Sequence, residues 1–177
     1  MESRPLSFRG DRPTAEITAI GMSWVGQDEV EVWLLGVDST ERMLKRFSEL
    51  YAEADLVTGH YIRGFDLSLA NAGLMEFGLP TLGPKLTSDT KSDLVKYRDI
   101  SAKQEDLLEM LGIEVTKYHM SHNMWRQANR LTSEGLKETH RRVTSDVVGH
   151  KLMRAEMIKR GLLTSPKVWD PGDGGKR

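Results

Sequence analysis

Cysteine is absent from the 177 residues of this chain. Disulfide bonds, thiolate zinc sites and cysteine nucleophiles are therefore excluded together, and a bound metal must rest on oxygen or imidazole ligands. No run of about 18 apolar residues occurs, and the first segment, MESRPLSFRGDRP, lacks the apolar centre of a signal peptide. The sequence therefore predicts a cytoplasmic protein with no membrane partner.

Net charge is also small, at −1, so the chain as a whole is not strongly attracted to polyanions. Binding to nucleic acid must then come from local basic patches. Hydrophobic residues make up 38% and charged residues 29%, which is typical of a soluble globular protein.

The length of the chain suits one domain. We predict that residues 1–163 form this domain and that residues 164–177, rich in proline and glycine, form a flexible C-terminal tail, from which Trp169 could dock on the body of the domain.

The first half of the chain alternates predicted strands and helices. Residues 15–25 and 29–37 are rich in β-branched and aromatic side chains, which predicts an antiparallel hairpin. Helical spacing of apolar residues predicts a helix over residues 38–54, and a second helix begins near Asp66 and ends at Gly78. Between them, residues 55–60 form a short apolar run typical of a buried parallel strand.

The second half is predicted to be mainly helical. One more strand falls within residues 83–95 and ends near Asp89, with a helical stretch after it. Helices follow over residues 102–112 and 121–130, and a long helix opens at Thr132 and runs to about residue 160. This order predicts an α/β fold in which helices cover a mixed sheet.

An aspartate, Asp66, opens the second helix, directly after a predicted parallel strand. Ligands of such sheets collect at the carboxyl ends of the parallel strands, so Asp66 is a candidate site residue. The helix dipole alone also favours an acid in the first turn, which is the simpler explanation.

The segment ADLVTGHYIRGFDLSLA, residues 54–70, resembles the second exonuclease motif of the DEDD (DnaQ-like) nucleases. That motif is an apolar strand, Gly-His-Asn, a few residues, then Phe-Asp and an apolar helix. Gly59, His60, Phe65 and Asp66 match it, and Tyr61 stands where asparagine is usual. The resemblance implies a ribonuclease H-like fold and a 3′-to-5′ exonuclease that holds metal on four acidic residues.

A late helix of this family carries another acidic ligand, and RRVTSDVVGHKLM, residues 141–153, offers Asp146 for it. Family members place a tyrosine four residues, or a histidine five residues, before this aspartate to position the attacking water. Here those places hold Arg142 and Arg141. His150, one turn after Asp146, shares its helix face and could orient the carboxylate or a water. An ordinary packing histidine is the alternative.

The first motif of the family is Asp-x-Glu on the central strand of the sheet. Aligned through the hairpin, Glu2 takes the glutamate position, and the aspartate would precede Met1. From the resemblance we expect that the sequence begins inside this motif and that the sheet lacks its first central strand. We also expect weak metal binding and little activity from the chain as written. The alternative is that Glu2 is an unimportant terminal residue.

Phosphodiester hydrolysis needs an activated water and a stabilised leaving oxygen, which two divalent ions about 3.5–4 Å apart supply. Mg²⁺ and Mn²⁺ prefer hard oxygen ligands. The resemblance therefore implies Glu2, Asp66 and Asp146 as metal ligands and catalytic residues, and helical spacing adds His150 as a further catalytic candidate. Asp89 is a further candidate ligand, for which a strand-end or N-cap role is the alternative.

Aromatic and basic residues predict contacts to nucleic acid, because aromatic faces stack on bases and cations follow phosphates. Residues 117–130 interleave both kinds, although Trp125 could instead be buried in the helical core. Lys91 and Lys96 could meet phosphates near Asp89, although lysines on a loop are usually only solvated. The predicted nucleic-acid-binding residues are His60, Tyr61, Arg63, Lys91, Trp125, Arg126 and Arg142.

The sequence thus predicts a Mg²⁺- or Mn²⁺-dependent nuclease that cuts DNA from a 3′ end, within a phage or bacterial replication, recombination or repair system. If phage-encoded, it would act in the host cytoplasm. One alternative is a structure-specific endonuclease that cuts branched DNA with a similar carboxylate cluster. Another is a nucleic-acid-binding module whose metal site is degenerate.

Overall fold

The computed structural model describes residues 1–5, 15–95, 100–115 and 118–173, and these residues form a mixed α/β fold. They contain two three-stranded sheets and five α-helices. In chain order the elements are β1 (Glu2–Pro5), β2 (Ala15–Met22), β3 (Glu31–Leu34), α1 (Thr40–Glu53), β4 (Leu56–Gly59), α2 (Asp66–Glu76), β5 (Lys85–Asp89), α3 (Gln104–Met110), α4 (His122–Asn129), α5 (Ser133–Lys159) and β6 (Lys167–Trp169), followed by a short 3₁₀ turn, Pro171–Asp173.

The first sheet has the order β1-β2-β3, and both of its pairings are antiparallel. The β2–β3 hairpin confirms the one predicted from the sequence. Strand β1 was not predicted as a separate element, and it pairs with the first part of β2, from Pro5 opposite Ala15 to Glu2 opposite Ala19. Glu2 is therefore held at the middle of β2.

The second sheet has the order β4-β5-β6. Strands β4 and β5 are parallel and end together, with Gly59 opposite Asp89, while β6 is antiparallel to β5. Strand β6 corrects the prediction of a flexible tail over residues 167–169, because Lys167 and Trp169 pair with β5 and Trp169 packs on the main core. Residues 174–177 of that predicted tail lie outside the described residues.

The α/β class is confirmed, but the strands form two sheets where the sequence predicted one. Strand β1 reaches only as far as Ala19 on β2, and among the described strands none lies between β2 and β4. The helical stretch predicted after Asp89 is also corrected: residues 90–92 form a turn and Leu94 makes an isolated bridge to Leu163.

Helix α5 is the longest element and begins where the sequence predicts, with Thr132 as its N-cap. The Thr132 hydroxyl accepts a hydrogen bond from the Gly135 amide at 3.1 Å, which satisfies one of the unpaired amides of the first turn. Ser121 caps α4 in the same way. Of the helices in the described ranges, none is long and apolar enough to cross a membrane.

The core has three apolar clusters, and α5 contributes to two of them. The main cluster lies between β2, α1 and α2, and its members include Ile17, Ile20, Met43, Leu44, Phe47, Leu67 and Leu74. On α5, Val143 packs with Ala19 and Leu34, and Met153 and Met157 pack with the leucines of α3. Gly21 permits this close approach, since a Cβ there would lie 2.3 Å from Val143 Cγ1.

Candidate functional site

A cavity of about 570 Å³ lies between the two sheets. Strand β2 lines one side from Ile20 onward, all of β4 lines the other, and α1 and α5 contribute apolar side chains. Five of the predicted site residues lie on its wall: Glu2, His60, Asp66, Asp146 and His150. Residues that are far apart along the chain therefore converge on one cavity.

Asp66 is the first residue of α2 and faces this cavity. Its Oδ1 lies 2.9 Å from the amino nitrogen of Met1, which forms an ion pair with it. Burial lowers the pKa of this amino group, but the Asp66 carboxylate, with smaller contributions from Glu2 and Asp146, raises it, and the net pKa is above the ordinary value of 8.0. The three acids therefore stabilise one positive charge inside the cavity.

Glu2 and Asp146 are joined by Arg142. Arg142 Nε donates to Glu2 Oε1 at 2.8 Å, and Nη2 lies 3.8 Å from Asp146 Oδ2, one helical turn away on α5. Among the described residues, no three acidic or histidine side chains form a group that could hold a metal ion. The acids are thus collected in one place, but Glu2 is turned toward a guanidinium.

The Arg142 side chain is itself held by α4 and by the segment before it. Its Nη1 donates to the Tyr118 carbonyl at 3.1 Å, and its guanidinium lies 5.2 Å from the centre of the Trp125 ring. Trp125 is half-buried, and α4 contains no fully buried residue. Trp125 is therefore not buried in the helical core, which was the alternative to a nucleic-acid contact. Arg126 lies exposed on α4.

His150 sits in a buried chain of histidine and threonine side chains. Its Nε2 is 3.2 Å from Thr58 Oγ1 and its Nδ1 is 3.5 Å from Thr90 Oγ1, while His60 Nδ1 is 3.0 Å from the same Thr90 hydroxyl. Burial, helped by His60 and Arg154, lowers the pKa of His150 to about 3. Its imidazole is therefore neutral near pH 7. Both ring nitrogens face threonines, so the geometry favours a positioning role over direct catalysis.

Asp89 ends β5 and binds backbone amides. Its Oδ1 accepts from the amides of Tyr61, Lys91 and Ser92 at 2.9–3.0 Å, and its Oδ2 accepts from the Arg63 amide at 3.1 Å. The side chain is fully buried. This geometry corresponds to the strand-end alternative: Asp89 holds together the loops that follow β4 and β5, and it does not line the cavity that holds the other acids.

Arg63, predicted to contact nucleic acid, points inward. Its Nη2 lies 2.5 Å from Asp93 Oδ1 and its Nη1 donates to Asp93 Oδ2 at 3.1 Å and to the Thr87 hydroxyl. Asp93 has no exposed side-chain surface. Burial alone would raise the pKa of Asp93, but its hydrogen bonds from Arg63 and from the Asp89 amide lower it overall. Arg63 therefore neutralises a buried acid, which sequence reasoning missed.

Tyr61 and Lys91 remain at the surface, beside the carboxyl ends of the parallel strands. Lys91 Nζ lies 3.9 Å from the centre of the Tyr61 ring. Tyr61 has φ of 65°, a left-handed conformation that asparagine adopts far more readily than tyrosine. The asparagine usual in the resembled motif would therefore suit this backbone. Lys96 and Lys117 lie outside the described residues.

Sequence reasoning missed several residues of the cavity. The exposed aromatic side chains of Trp24 and Phe65 lie at its wall, and Gln104 donates to the Asp146 carbonyl at 3.0 Å. Lys151 donates to Ser23 Oγ at 2.9 Å across the cavity, between α5 and the end of β2. Two of these residues carried a sequence signal: Phe65 matches the resembled motif, and Trp24 lies near the end of a predicted strand.

Comparisons with known proteins add no assignment: no family model, no curated protein and no solved structure matches this chain.

Proposed function

We propose that this protein is a metal-dependent nuclease of ribonuclease H-like fold that acts on single-stranded 3′ ends of DNA. One observation carries the proposal. Asp66 and Asp146, eighty residues apart in the chain, line a single cavity together with Glu2. Carboxylates from distant segments that gather at one place are what two-metal phosphodiester hydrolysis requires.

The donor atoms are of the type that Mg²⁺ and Mn²⁺ bind. All three side chains offer hard carboxylate oxygens, the donor atoms that these ions prefer. When bound, the metal would supply an activated water and stabilise the leaving oxygen. Asp66 and Asp146 would bind it, with Glu2 as a third ligand once Glu2 leaves Arg142.

The surroundings of the carboxylates suit a nucleotide at a strand end. The cavity volume of about 570 Å³ lies within the range of about 300–1,000 Å³ that is usual for ligand-sized pockets. Trp24 and Phe65 present exposed aromatic faces at its wall, on which bases can stack. His150, neutral and hydrogen-bonded to two threonines, links α5 to β4 one turn after Asp146.

The test measures Mn²⁺ binding by calorimetry and then hydrolysis of 5′-labelled single-stranded DNA in Mn²⁺. Asp66→Asn and Asp146→Asn should each lower the rate by at least about 100-fold, because each removes charge stabilisation at the reacting phosphate. Asp55→Asn, an exposed acid at the opposite end of β4, is the matched control and should leave both readouts unchanged. Hydrolysis that survives Asp66→Asn contradicts the proposal.

Four-way junctions as substrate test the endonuclease alternative, which predicts paired incisions instead of ladders.

A second candidate, a non-catalytic nucleic-acid-binding module, is favoured by the Arg142–Glu2 ion pair, since an arginine that neutralises a ligand weakens a metal site. It predicts DNA binding with neither Mn²⁺ binding nor hydrolysis.

A further inference from the structure

Two strand edges line the cavity from opposite sides, and we call the space between them the gap. On one side, the pairing of β1 with β2 stops at Ala19, so no described strand lies opposite Gly21 on that edge. On the other side, β4 is the outer strand of the sheet β4-β5-β6. Residues 20–22 of β2 and all of β4 lie on the cavity wall.

The backbone of β2 directs hydrogen-bonding groups into the gap. The amide and carbonyl of a strand residue lie on the same side of the strand, and the side alternates from one residue to the next. The Leu35 amide donates to the Thr18 carbonyl at 2.9 Å, so Thr18 bonds toward β3, and Ile20 shares its direction. The amide and carbonyl of Gly21 are therefore directed into the gap.

The backbone of β4 does the same from the other side. The Thr90 amide donates to the Gly59 carbonyl at 3.0 Å, so Gly59 bonds toward β5. By alternation Val57 also bonds toward β5, with which β4 pairs along its whole length. The amides and carbonyls of Leu56 and Thr58 are therefore directed into the gap.

Helices cover the gap on both faces with apolar side chains. Ile20 packs with Phe47 of α1 in the main core, whereas a Cβ on Gly21 would point at Val143 of α5. Since successive residues of a strand point to opposite faces, α1 covers one face of the gap and α5 covers the other. Strands covered in this way on both faces consist mainly of valine, isoleucine and leucine.

An extended polypeptide is the occupant that suits both features. An alkyl chain or an aromatic ring would fill the space but would leave the amides and carbonyls of the two edges without partners, which is costly in apolar surroundings. A peptide backbone supplies donors and acceptors to both edges at once. Strand β1 already makes this pairing with β2 as far as Ala19, so the added strand would continue an existing interface.

We propose that the gap binds an extended apolar segment of a second polypeptide, which adds as a strand in line with β1 and joins the two sheets. The segment runs antiparallel to β2, as β1 does, and its apolar part is about four residues long, the length of β4. This inference goes beyond the proposed function and needs no metal ion, so the hydrolysis assay above does not decide it.

The first test measures binding of a fluorescent peptide to the full chain by anisotropy. The peptide carries four successive valine and isoleucine residues between lysines. The control peptide has the same side chains but N-methylated amides, so it keeps the apolar surface and loses the backbone donors. It should bind at least about tenfold more weakly. Equal binding of the two peptides, or no binding of the unmethylated one, overturns the proposal.

Amide hydrogen exchange, followed by NMR, tests where the peptide binds. The unmethylated peptide should slow exchange of the Gly21 and Thr58 amides at least about tenfold, because both gain hydrogen-bond acceptors. The Ile20 and Val57 amides, directed toward β3 and β5, are the internal controls and should change less. Equal slowing at all four amides would mean that the peptide stabilises the fold without entering the gap, which overturns the proposal.

A pair of variants at one position tests the edge of β4. Leu56→Pro removes an amide donor that is directed into the gap, at the first residue of an edge strand where proline is tolerated. Leu56→Ala keeps the donor and is the matched control. Leu56→Pro should bind the unmethylated peptide at least about tenfold more weakly than Leu56→Ala, with circular dichroism as the check on folding. Equal affinities of two folded variants overturn pairing with β4.

Discussion

Arg63 and Asp93 form a two-bond ion pair in which the acid is completely buried, with Nη2 and Oδ1 2.5 Å apart and Nη1 and Oδ2 3.1 Å apart. Lys167 of β6 adds a second positive charge at 3.3 Å from Asp93 Oδ1. The pair ties the loop after β4 to the turn after β5 and to β6. It therefore stabilises the end of the second sheet on which Asp66 depends.

Asp93→Asn should lower the free energy of unfolding by about 3–5 kcal/mol, because it leaves the Arg63 charge largely buried without its partner. Urea unfolding measures this. The exposed pair of Lys45 and Glu41 on α1 serves as the control, and Glu41→Gln there should cost less than about 1 kcal/mol. Equal losses in the two variants would mean that burial of the Arg63–Asp93 pair adds nothing to stability.

The buried His150 makes stability depend on pH. Its pKa is about 3 in the folded protein and 6.5 when exposed, so below pH 6.5 the unfolded chain takes up a proton that the folded protein does not. The free energy of unfolding should therefore decrease as the pH is lowered from about 6 to 4. This group contributes roughly 1.4 kcal/mol per pH unit to that decrease.

His150→Gln should flatten that slope, which urea unfolding at several pH values measures. His119→Gln, which removes an exposed histidine paired with Glu105 at the surface, is the matched histidine substitution. A slope that is the same in wild type and in His150→Gln contradicts the burial of a neutral imidazole at this position.

Gly135 lets α4 pack directly against the start of α5. A Cβ at this position would lie 2.2 Å from the Gln127 carbonyl carbon, a backbone atom that cannot move without moving α4. Gly135→Ala should therefore displace α4, lower stability by about 1–3 kcal/mol and separate Trp125 from Arg142.

Urea unfolding and tryptophan fluorescence measure these two effects, and Trp125→Phe identifies which part of the signal belongs to Trp125. Gly83→Ala is the control, since a Cβ there meets nothing within 4 Å. Native-like fluorescence in Gly135→Ala would show that α4 and α5 are not in close contact at Gly135.

Lys91 and Tyr61 offer a surface cation beside the carboxyl ends of β4 and β5. If DNA passes there, Lys91→Gln should weaken binding of single-stranded DNA and reduce the slope of log affinity against log salt by about 0.7. Anisotropy titrations at several salt concentrations measure this slope. Lys45→Gln, an exposed lysine on α1, should leave it unchanged, and identical slopes for the two variants would place the DNA elsewhere.

Much of the secondary structure follows from local sequence signals. The β2–β3 hairpin has dense β-branched residues on both sides of a glycine, and α5 has a threonine at its N-cap, so both could be predicted closely. Strands β1 and β6 could not, because four and three residues carry too little periodicity to distinguish a strand from a terminal segment.

The candidate site divides in the same way. Asp66 lines the cavity, and its position at the carboxyl end of a parallel strand could be predicted because it follows directly from a strand-to-helix junction in the sequence. The partners of Arg63 and Arg142 could not be predicted, since each depends on residues brought together only by the tertiary fold. Charge alone therefore indicated nucleic-acid contacts where the structure has intramolecular ion pairs.

The Thr90 hydroxyl lies between His60 and His150 and carries a single hydrogen atom. The Thr58 hydroxyl donates its own hydrogen to the Ser88 carbonyl, so the neutral His150 ring must donate to Thr58 from Nε2 and accept from Thr90 through Nδ1. The Thr90 hydrogen is then used by His150, and His60 must supply an N–H from Nδ1 to bond to the same hydroxyl. The tautomer of His60, at the cavity wall, is therefore set by a ring on α5, within a turn of Asp146.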